Sequence, residues 1–377
     1  MSDSGDLHTQ HETEVSAWQG TGTRVLTLLL LLYGFLVSIG MLGKAFKMFS
    51  GGFVGGLIES ASNPLLGLFV GVLATTLVQS SSTTTSLVVA LVGSGSMPIE
   101  TAIPIVMGAN IGTSVTNTLV SLGHVTRGQE FERAFAASTV HDFFNIFAVI
   151  VIFPLQMATN FLGTLSSKMA DLFAEVGGLT FASPLKLVTE PAVKAAATLL
   201  DGHPWLLLIF ALFIMFASLR YLVAVLKAIV LGRVEAFFDQ TLFANAGRAM
   251  LFGLLITVLV QSSSITTSLA VPLAGAGILT LIQIFPYTLG ANIGTTITAI
   301  LAALAVGEIS AVTVAFAHLL FNVCGIALIW PVPAIRRIPL RIAWGFAAVA
   351  ANHRWIAIAY ILICFYAVPL AAILLLR

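Results

Sequence analysis

The octapeptide Gln79-Ser80-Ser81-Ser82-Thr83-Thr84-Thr85-Ser86 returns 182 positions later as Gln261-Ser262-Ser263-Ser264-Ile265-Thr266-Thr267-Ser268, with one substitution. Downstream, Gly108-Ala109-Asn110-Ile111-Gly112-Thr113 recurs unchanged from Gly290 to Thr295 at the same 182-residue offset. Two motifs kept at one spacing make the chain two copies of a single unit, so its fold has to build two equivalent halves. Both hydroxyl-rich runs lie inside apolar stretches, where polar side chains are costly unless they bind something or one another. Polar interruptions at corresponding positions of two halves point to a transporter binding site.

Composition names the solvent. Hydrophobic residues make up 58% of the chain and charged residues 9%, and the mean hydropathy is +1.03, values that belong to an integral membrane protein. A formal net charge of +1 argues against a nucleic-acid partner. Residues 1–23 read as a disordered tail: Met1 to Gly20 carries Asp3, Asp6, Glu12 and Glu14, and it lacks the basic region of a signal peptide. Cys324 and Cys364 lack the spacing of a metal site and read as small apolar side chains. No GxxxxGK[ST] loop is present, which argues against direct ATP-driven pumping by this chain.

Apolar windows run over Arg24–Phe49, Asn63–Gly95, Pro98–Gly123, Ala134–Asn160, Pro204–Val230, Ala246–Gly277, Leu279–Val306, Ser310–Pro331 and Trp355–Leu376. The expected fold is an all-α polytopic membrane protein of two inverted repeats. Repeat 1 covers 24–160 and repeat 2 covers 204–331, with a linker at 161–203 and a basic segment plus final helix at 332–377. Each serine-centred window is too short for two crossings, so it reads as a re-entrant helical hairpin with the QSSS run at its tip. With the hairpins not crossing, each repeat spans three times, and an odd count inverts the second repeat.

Charge placement orients this layout. With the amino terminus in the cytoplasm, Arg24, Arg127, Arg133, Lys227, Arg233, Arg248, Arg336, Arg337, Arg341 and Arg354 fall inside. Lys44, Lys47, Lys168, Lys186, Lys194 and Arg377 fall outside, and Lys44 and Lys47 run against the bias. Arg341 to Asn352 reads either as an interfacial helix or as part of a further span.

A re-entrant tip ends one helix and begins another, exposing unpaired N–H groups at the start of the second arm. With the positive end of the helix dipole, these suit an anion. The candidate anion ligands are therefore Gln79, Ser80, Ser81 and Ser82 with Gln261, Ser262, Ser263 and Ser264. The glycines of GANIGT permit an unwound turn in mid-membrane. That would break both helices and turn the carbonyls of Met107, Gly108, Leu289 and Gly290, with side-chain oxygen from Asn110, Thr113, Asn292 and Thr295, toward a cation such as Na⁺.

A third echo sets His141-Asp142-Phe143-Phe144-Asn145 against His318-Leu319-Leu320-Phe321-Asn322, offset by 177. Asp142 in an apolar helix is a functional candidate by default, with Na⁺ or His141 available to neutralise it. Asn145 and Asn322 join the candidate cation set. No Lys or Arg occurs between Lys47 and Arg127, so an anion at the tips must be balanced by neutral donors, helix ends and co-bound cations.

The paired QSSS runs, the paired GANIGT segments and the stretch from Arg133 to Asn145 resemble the type II sodium-dependent phosphate cotransporters, over about Leu65 to Pro331. The resemblance implies a symporter, not an enzyme, coupling Na⁺ influx to uptake of inorganic phosphate by alternating access. It implies phosphate or adjacent sodium at Gln79, Ser80 and Ser81 with Gln261, Ser262 and Ser263, and electrogenic coupling through Asp142. Animal members carry a large disulfide-bonded, glycosylated loop between the repeats, whereas Thr159 to His203 here is short, without cysteine or a glycosylation acceptor. A bacterial inner-membrane protein is the expectation. A homodimer would give a moving core its fixed scaffold. Rival readings are Na⁺-coupled transport of sulfate or another oxyanion, an intramembrane serine hydrolase using His141 or His318 as base, and a phosphate sensor that binds without transport.

Overall fold

The computed structural model describes residues 21–49, 63–200, 203–234, 243 and 245–376. Residues 1–20 of the expected tail lie outside the described residues, as do Arg377 and the side chains of Lys186, Lys227 and Arg233. The described residues form helices and no strand. In chain order they are α1 Thr21–Met48, α2 Pro64–Val78, α3 Ser81–Gly93, α4 Ile99–Gly112, α5 Val115–Leu122, α6 Gly128–Thr159, α7 Phe161–Glu175 and α8 Gly178–Leu199. The second half follows with α9 Pro204–Val234, α10 Ala246–Val260, α11 Ser263–Gly275, α12 Leu281–Val306, α13 Ile309–Ile329 and α14 Pro333–Asn352. The last span runs as α15 Trp355–Tyr360, a π-helical segment Ile361–Ala367 and α16 Val368–Leu376.

Among the described residues six stretches are long and apolar enough to cross a membrane: Thr23–Met48, Gly128–Thr159, Pro204–Leu222, Leu281–Val306, Ile309–Ile329 and Trp355–Leu376. Their outer faces leave Leu26, Leu29, Leu30, Phe213, Leu362 and Leu374 exposed, which only a hydrocarbon solvent accommodates on this scale. The chain is an all-α polytopic membrane protein. The linker holds α7 and α8. Arg341 to Asn352 belongs to α14, which lays Pro339, Ala343, Ala347 and Ala350 on one buried face and packs along α6. A turn at His353 separates it from the final span. Lys47, one of the two lysines against the charge bias, lies 3.9 Å from Glu308.

The two sequence copies start alike. Asn63 caps α2 through Leu65 N–H, and Asn245 caps α10 through the N–H groups of Gly247 and Arg248. Each helix then stops at a glutamine in the left-handed region, Gln79 at φ 58° and Gln261 at φ 55°. α3 and α11 begin two residues later. At 15 and 13 residues, the members of each pair are too short to span on their own.

Glycine holds the pairs against their neighbours. A Cβ on Gly108 would sit 1.9 Å from the Leu68 carbonyl oxygen, and one on Gly290 1.8 Å from that of Met250. Gly71 and Gly253 meet the carbonyls of Ile105 and Tyr287 just as closely, at 2.0 Å. α2 therefore lies backbone to backbone on α4, and α10 on α12, through the small-xxx-small contact that drives helix association in lipid. In the second copy this overturns the expectation that GANIGT breaks its helix, whereas in the first copy the helix does break, at the motif's last residue. Gly290 to Thr295 lie within the unbroken α12. Gly108 to Gly112 are the helical end of α4, and the chain breaks only beyond them, at Thr113 and Ser114.

α12 organises the whole. Its first half supplies Ile284, Phe285, Tyr287 and Leu289 to a core shared with Phe131, Phe135 and Phe144 of α6. Its second half supplies Ala299, Ala302, Ala303 and Ala305 to a core shared with Phe35, Ile39 and Met41 of α1. The outer end of α3 lies at one end of α12, with Gly93 against Val306. The outer end of α11 leads directly into the other end of α12. At 26 residues these ends are about 39 Å apart by helix rise.

Both outer ends are gripped by the other copy. Arg133 donates from Nε and Nη2 to the Gly275 carbonyl at 3.0 and 2.6 Å and from Nε to Ala274 at 3.3 Å, neutralising the negative end of α11. Ser310 Oγ donates to Val92 O at 3.4 Å at the end of α3. Arg133→Met, which keeps the apolar stem, is expected to lower unfolding stability by about 1–2 kcal/mol, while Ser310→Ala costs much less. Thermal unfolding in detergent checks the ranking.

Candidate functional site

The two tips meet. Ser80 and Ser262 are the N-caps of α3 and α11, accepting from Thr83 N–H at 3.2 Å and Ile265 N–H at 3.4 Å. Capping uses their oxygens as acceptors, so their O–H groups stay able to donate. Ser82 Oγ donates across to the Gln261 carbonyl, and Ser264 Oγ to that of Thr113, each at 3.4 Å. Ser81, Ser82, Ser263 and Ser264 are nearly buried, with exposures of 5, 4, 3 and 5%. Gln79, Ser80, Gln261 and Ser262 are half-buried.

The hydroxyls of Ser81 and Ser263 hold a distinct position. Every other serine in the two QSSS runs caps a helix or bonds the opposite copy, whereas these two make no hydrogen bond among the described residues. They stand at the first residue of α3 and of α11, beside the free N–H groups of the first turn. Two such starts brought together provide N–H and O–H donors and two positive dipole ends without any cationic side chain.

The glutamines are oriented from behind. Thr116 Oγ1 donates to Gln79 Oε1 at 2.9 Å and Thr298 Oγ1 to Gln261 Oε1 at 2.8 Å. The amide nitrogens donate to the carbonyls of Thr76 and Val258. Sequence reasoning missed Thr116 and Thr298, although they also stand 182 residues apart. Extending the alignment three residues past GANIGT would have found them.

A second cluster lies beside the tips. His141 Nε2 donates to Asn292 Oδ1 at 2.5 Å, and Ser114 Oγ lies 3.4 Å from Nδ1. Asn292 Nδ2 donates to Asn145 Oδ1 at 2.8 Å, and Asn145 Nδ2 donates to the Asn110 carbonyl at 3.0 Å. Asn110, Asn145 and Asn292 are thus joined across the two copies. Thr113 and Thr295 donate back to Ala109 and Ala291 one turn earlier.

The carbonyls of Met107, Gly108, Leu289 and Gly290, expected to face a cation from unwound turns, are carbonyls of helical residues instead. The pairing of His141 with Asp142 is also corrected. Adjacent residues on a helix diverge, and Asp142 instead accepts from Tyr360 in the last span. Asn322 is apart from the cluster: its Nδ2 donates to His318 O at 3.0 Å and its Oδ1 has no partner among the described residues. A cavity of about 270 Å³ elsewhere is lined by Lys44, Lys47, Lys194, Glu190 and Glu308 with α1 and the end of α12, and by none of the tip residues.

A sequence profile of the family described as Na⁺/Pi-cotransporter matches residues 34–182 and 212–330. The chain belongs to this family. Sodium-dependent phosphate transport protein 2B from Pongo abelii is 34% identical over 470 residues, covering 98% of this chain and 68% of that protein. The Homo sapiens 2B protein matches with the same identity and coverage. Sodium-dependent phosphate transport protein 2A from Ovis aries is 35% identical over 92% of this chain and 66% of its own length. No solved structure matches the chain. The Na⁺/Pi-cotransporter profile ends at residue 330, before α14 and the final span that carries Tyr360.

Proposed function

We propose that this chain is a secondary active symporter that couples Na⁺ influx to uptake of inorganic phosphate. It is a transporter and not an enzyme. The observation that carries the site is the meeting of two matched helix starts, each with an uncommitted serine hydroxyl and a half-buried glutamine held by a threonine. Such a site suits a compact tetrahedral oxyanion approached from several sides. Phosphate is assigned to Gln79, Ser80, Ser81 and Ser82 with Gln261, Ser262, Ser263 and Ser264. Sodium is assigned to the adjoining polar cluster of Asn110, Thr113, Asn145, Asn292 and Thr295, with Asp142 as the coupling carboxylate and Asn322 as the second-copy counterpart of Asn145.

We read α2–α3 and α10–α11 as re-entrant hairpins of two inverted repeats. Support comes from their matched caps and left-handed glutamines, their short arms, and their outer ends at opposite ends of α12. Alternating access then moves this core against α1, α9 and the last span. A homodimer in a bacterial inner membrane, with a cytoplasmic amino terminus, completes the proposal, and thiol labelling of a cysteine introduced near the amino terminus tests the orientation.

The test is radiolabelled phosphate uptake into proteoliposomes under an inward Na⁺ gradient, with K⁺ in its place as control and unlabelled sulfate as competitor. Concentrative Na⁺-dependent uptake that resists sulfate is the expected result. Saturable binding without uptake would instead describe a sensor. A Na⁺ bound at the buried carboxylate, carried in excess of the substrate's negative charge, makes transport electrogenic by this reading. Asp142→Gly is expected to abolish the net current while changing the phosphate KM by no more than about twofold. Current and uptake recorded on the same proteoliposomes check it.

A further inference from the structure

Asp142 is the only acidic residue with a buried side chain among the described residues, at 0% exposure. Its Oδ2 accepts a hydrogen bond from Tyr360 Oη at 3.1 Å. Its Oδ1 has no partner among the described residues. An ionised carboxylate has about four acceptor positions, and although the Ser114 hydroxyl also stands near this one, neutral donors alone leave a buried carboxylate short of what its charge requires.

The donor itself is closely held. The Tyr360 ring packs against Phe143, Phe346 and Phe365, with centroid separations of 6.3, 5.0 and 5.4 Å. Phe143 comes from α6 and Phe346 from α14, so two further helices aim the phenol. The helix turns π-helical at the very next residue, from Ile361 to Ala367. Such widened turns are uncommon and gather at functional positions. The span carrying them follows both sequence copies and lies beyond the family profile, so neither the doubling nor the profile points to it.

We propose that Tyr360 is a positioning residue of cation coupling: its phenol holds Asp142 while the cation is absent and is displaced when a small monovalent cation binds the carboxylate. This rests on the reading of Asp142 as the coupling carboxylate. The last span thereby responds to cation occupancy although it contributes nothing to the paired tips. A donor that stabilises only the cation-free state weakens cation binding, because a ligand shifts an equilibrium only by its differential affinity.

The experiment is equilibrium binding of radiolabelled Na⁺ to the purified full-length protein, with K⁺ as the control ion and phosphate uptake followed in parallel. Tyr360→Phe keeps the ring and its packing and removes only the donor. It is expected to tighten Na⁺ binding about threefold or more. Tyr366→Phe, in the adjoining π-helical segment, should change it by less than about 1.5-fold. Unchanged or weaker Na⁺ binding by folded Tyr360→Phe protein overturns the proposal. So does wild-type Na⁺ binding by Asp142→Asn, a second variant that decides the matter if Tyr360→Phe fails to fold. Absence of Na⁺-driven phosphate uptake by the wild type would sink the symport reading by itself, while the Na⁺-binding comparison would still judge Tyr360.

Discussion

Replacing Gly290 by alanine is expected to destabilise the folded protein by about 3 kcal/mol, the upper end of what overpacking a buried contact costs. The added methyl would lie 1.8 Å from the Met250 carbonyl oxygen and 2.6 Å from its carbon. The obstacle is backbone on the facing helix, so no rotamer change relieves it, and α10 and α12 must move apart. Separation weakens the close packing that holds helices together in lipid, where the solvent offers no hydrophobic gain for association. Gly108→Ala should behave alike, since its methyl would meet the Leu68 carbonyl oxygen at 1.9 Å. Gly345→Ala is the control. Nothing lies within 4 Å of its added Cβ, and removing a glycine from a helix interior should stabilise by about 0.5–1 kcal/mol. Unfolding midpoints of the three variants in detergent should order as Gly345→Ala above wild type and the other two well below it. Equal midpoints for Gly290→Ala and wild type would refute the backbone contact.

The second large effect belongs to the tips. Ser81→Ala combined with Ser263→Ala removes the two hydroxyls that no other group engages. A hydrogen bond to a charged partner is worth about 1.5–3 kcal/mol, so each single change should raise the phosphate KM by about tenfold to a hundredfold. The double variant should lose measurable uptake at phosphate concentrations that saturate the wild type. Because neither hydroxyl makes a hydrogen bond within the described structure, thermal stability should change little, which separates a binding defect from a folding one. Ser80→Ala and Ser262→Ala should show the opposite balance. They remove N-caps and lower stability by about 1 kcal/mol each, with part of any uptake loss traceable to that. If Ser81→Ala and Ser263→Ala both keep wild-type phosphate KM values, the tips are not the phosphate site.

The membrane setting and the doubling of the sequence motifs were legible in the residues. Apolar windows place helices within a few residues of where they occur, because the length of apolar run that can cross a membrane leaves little freedom. The helix starts at Ser81 and Ser263 were equally legible, since serine before a hydroxyl-rich turn is a capping signal and the same signal appears twice.

In the second copy GANIGT was misread for a specific reason. Glycine permits both an unwound turn and close helix contact, and only the facing backbone of α2 or α10 shows which one is used. His141 and Asp142 adjoin in sequence but turn to different partners, one to Asn292 in the other copy and the other to Tyr360, 218 residues further along. By itself the sequence determined the solvent, the doubling of its motifs, the helix starts behind the two QSSS runs and the set of polar groups that had to be satisfied in mid-membrane. Tertiary structure alone decided which of those groups satisfy one another and which hydroxyls remain free for a ligand. Periodicity and capping act within a few residues of chain, whereas a buried hydrogen bond is settled by whichever helix packs across from it.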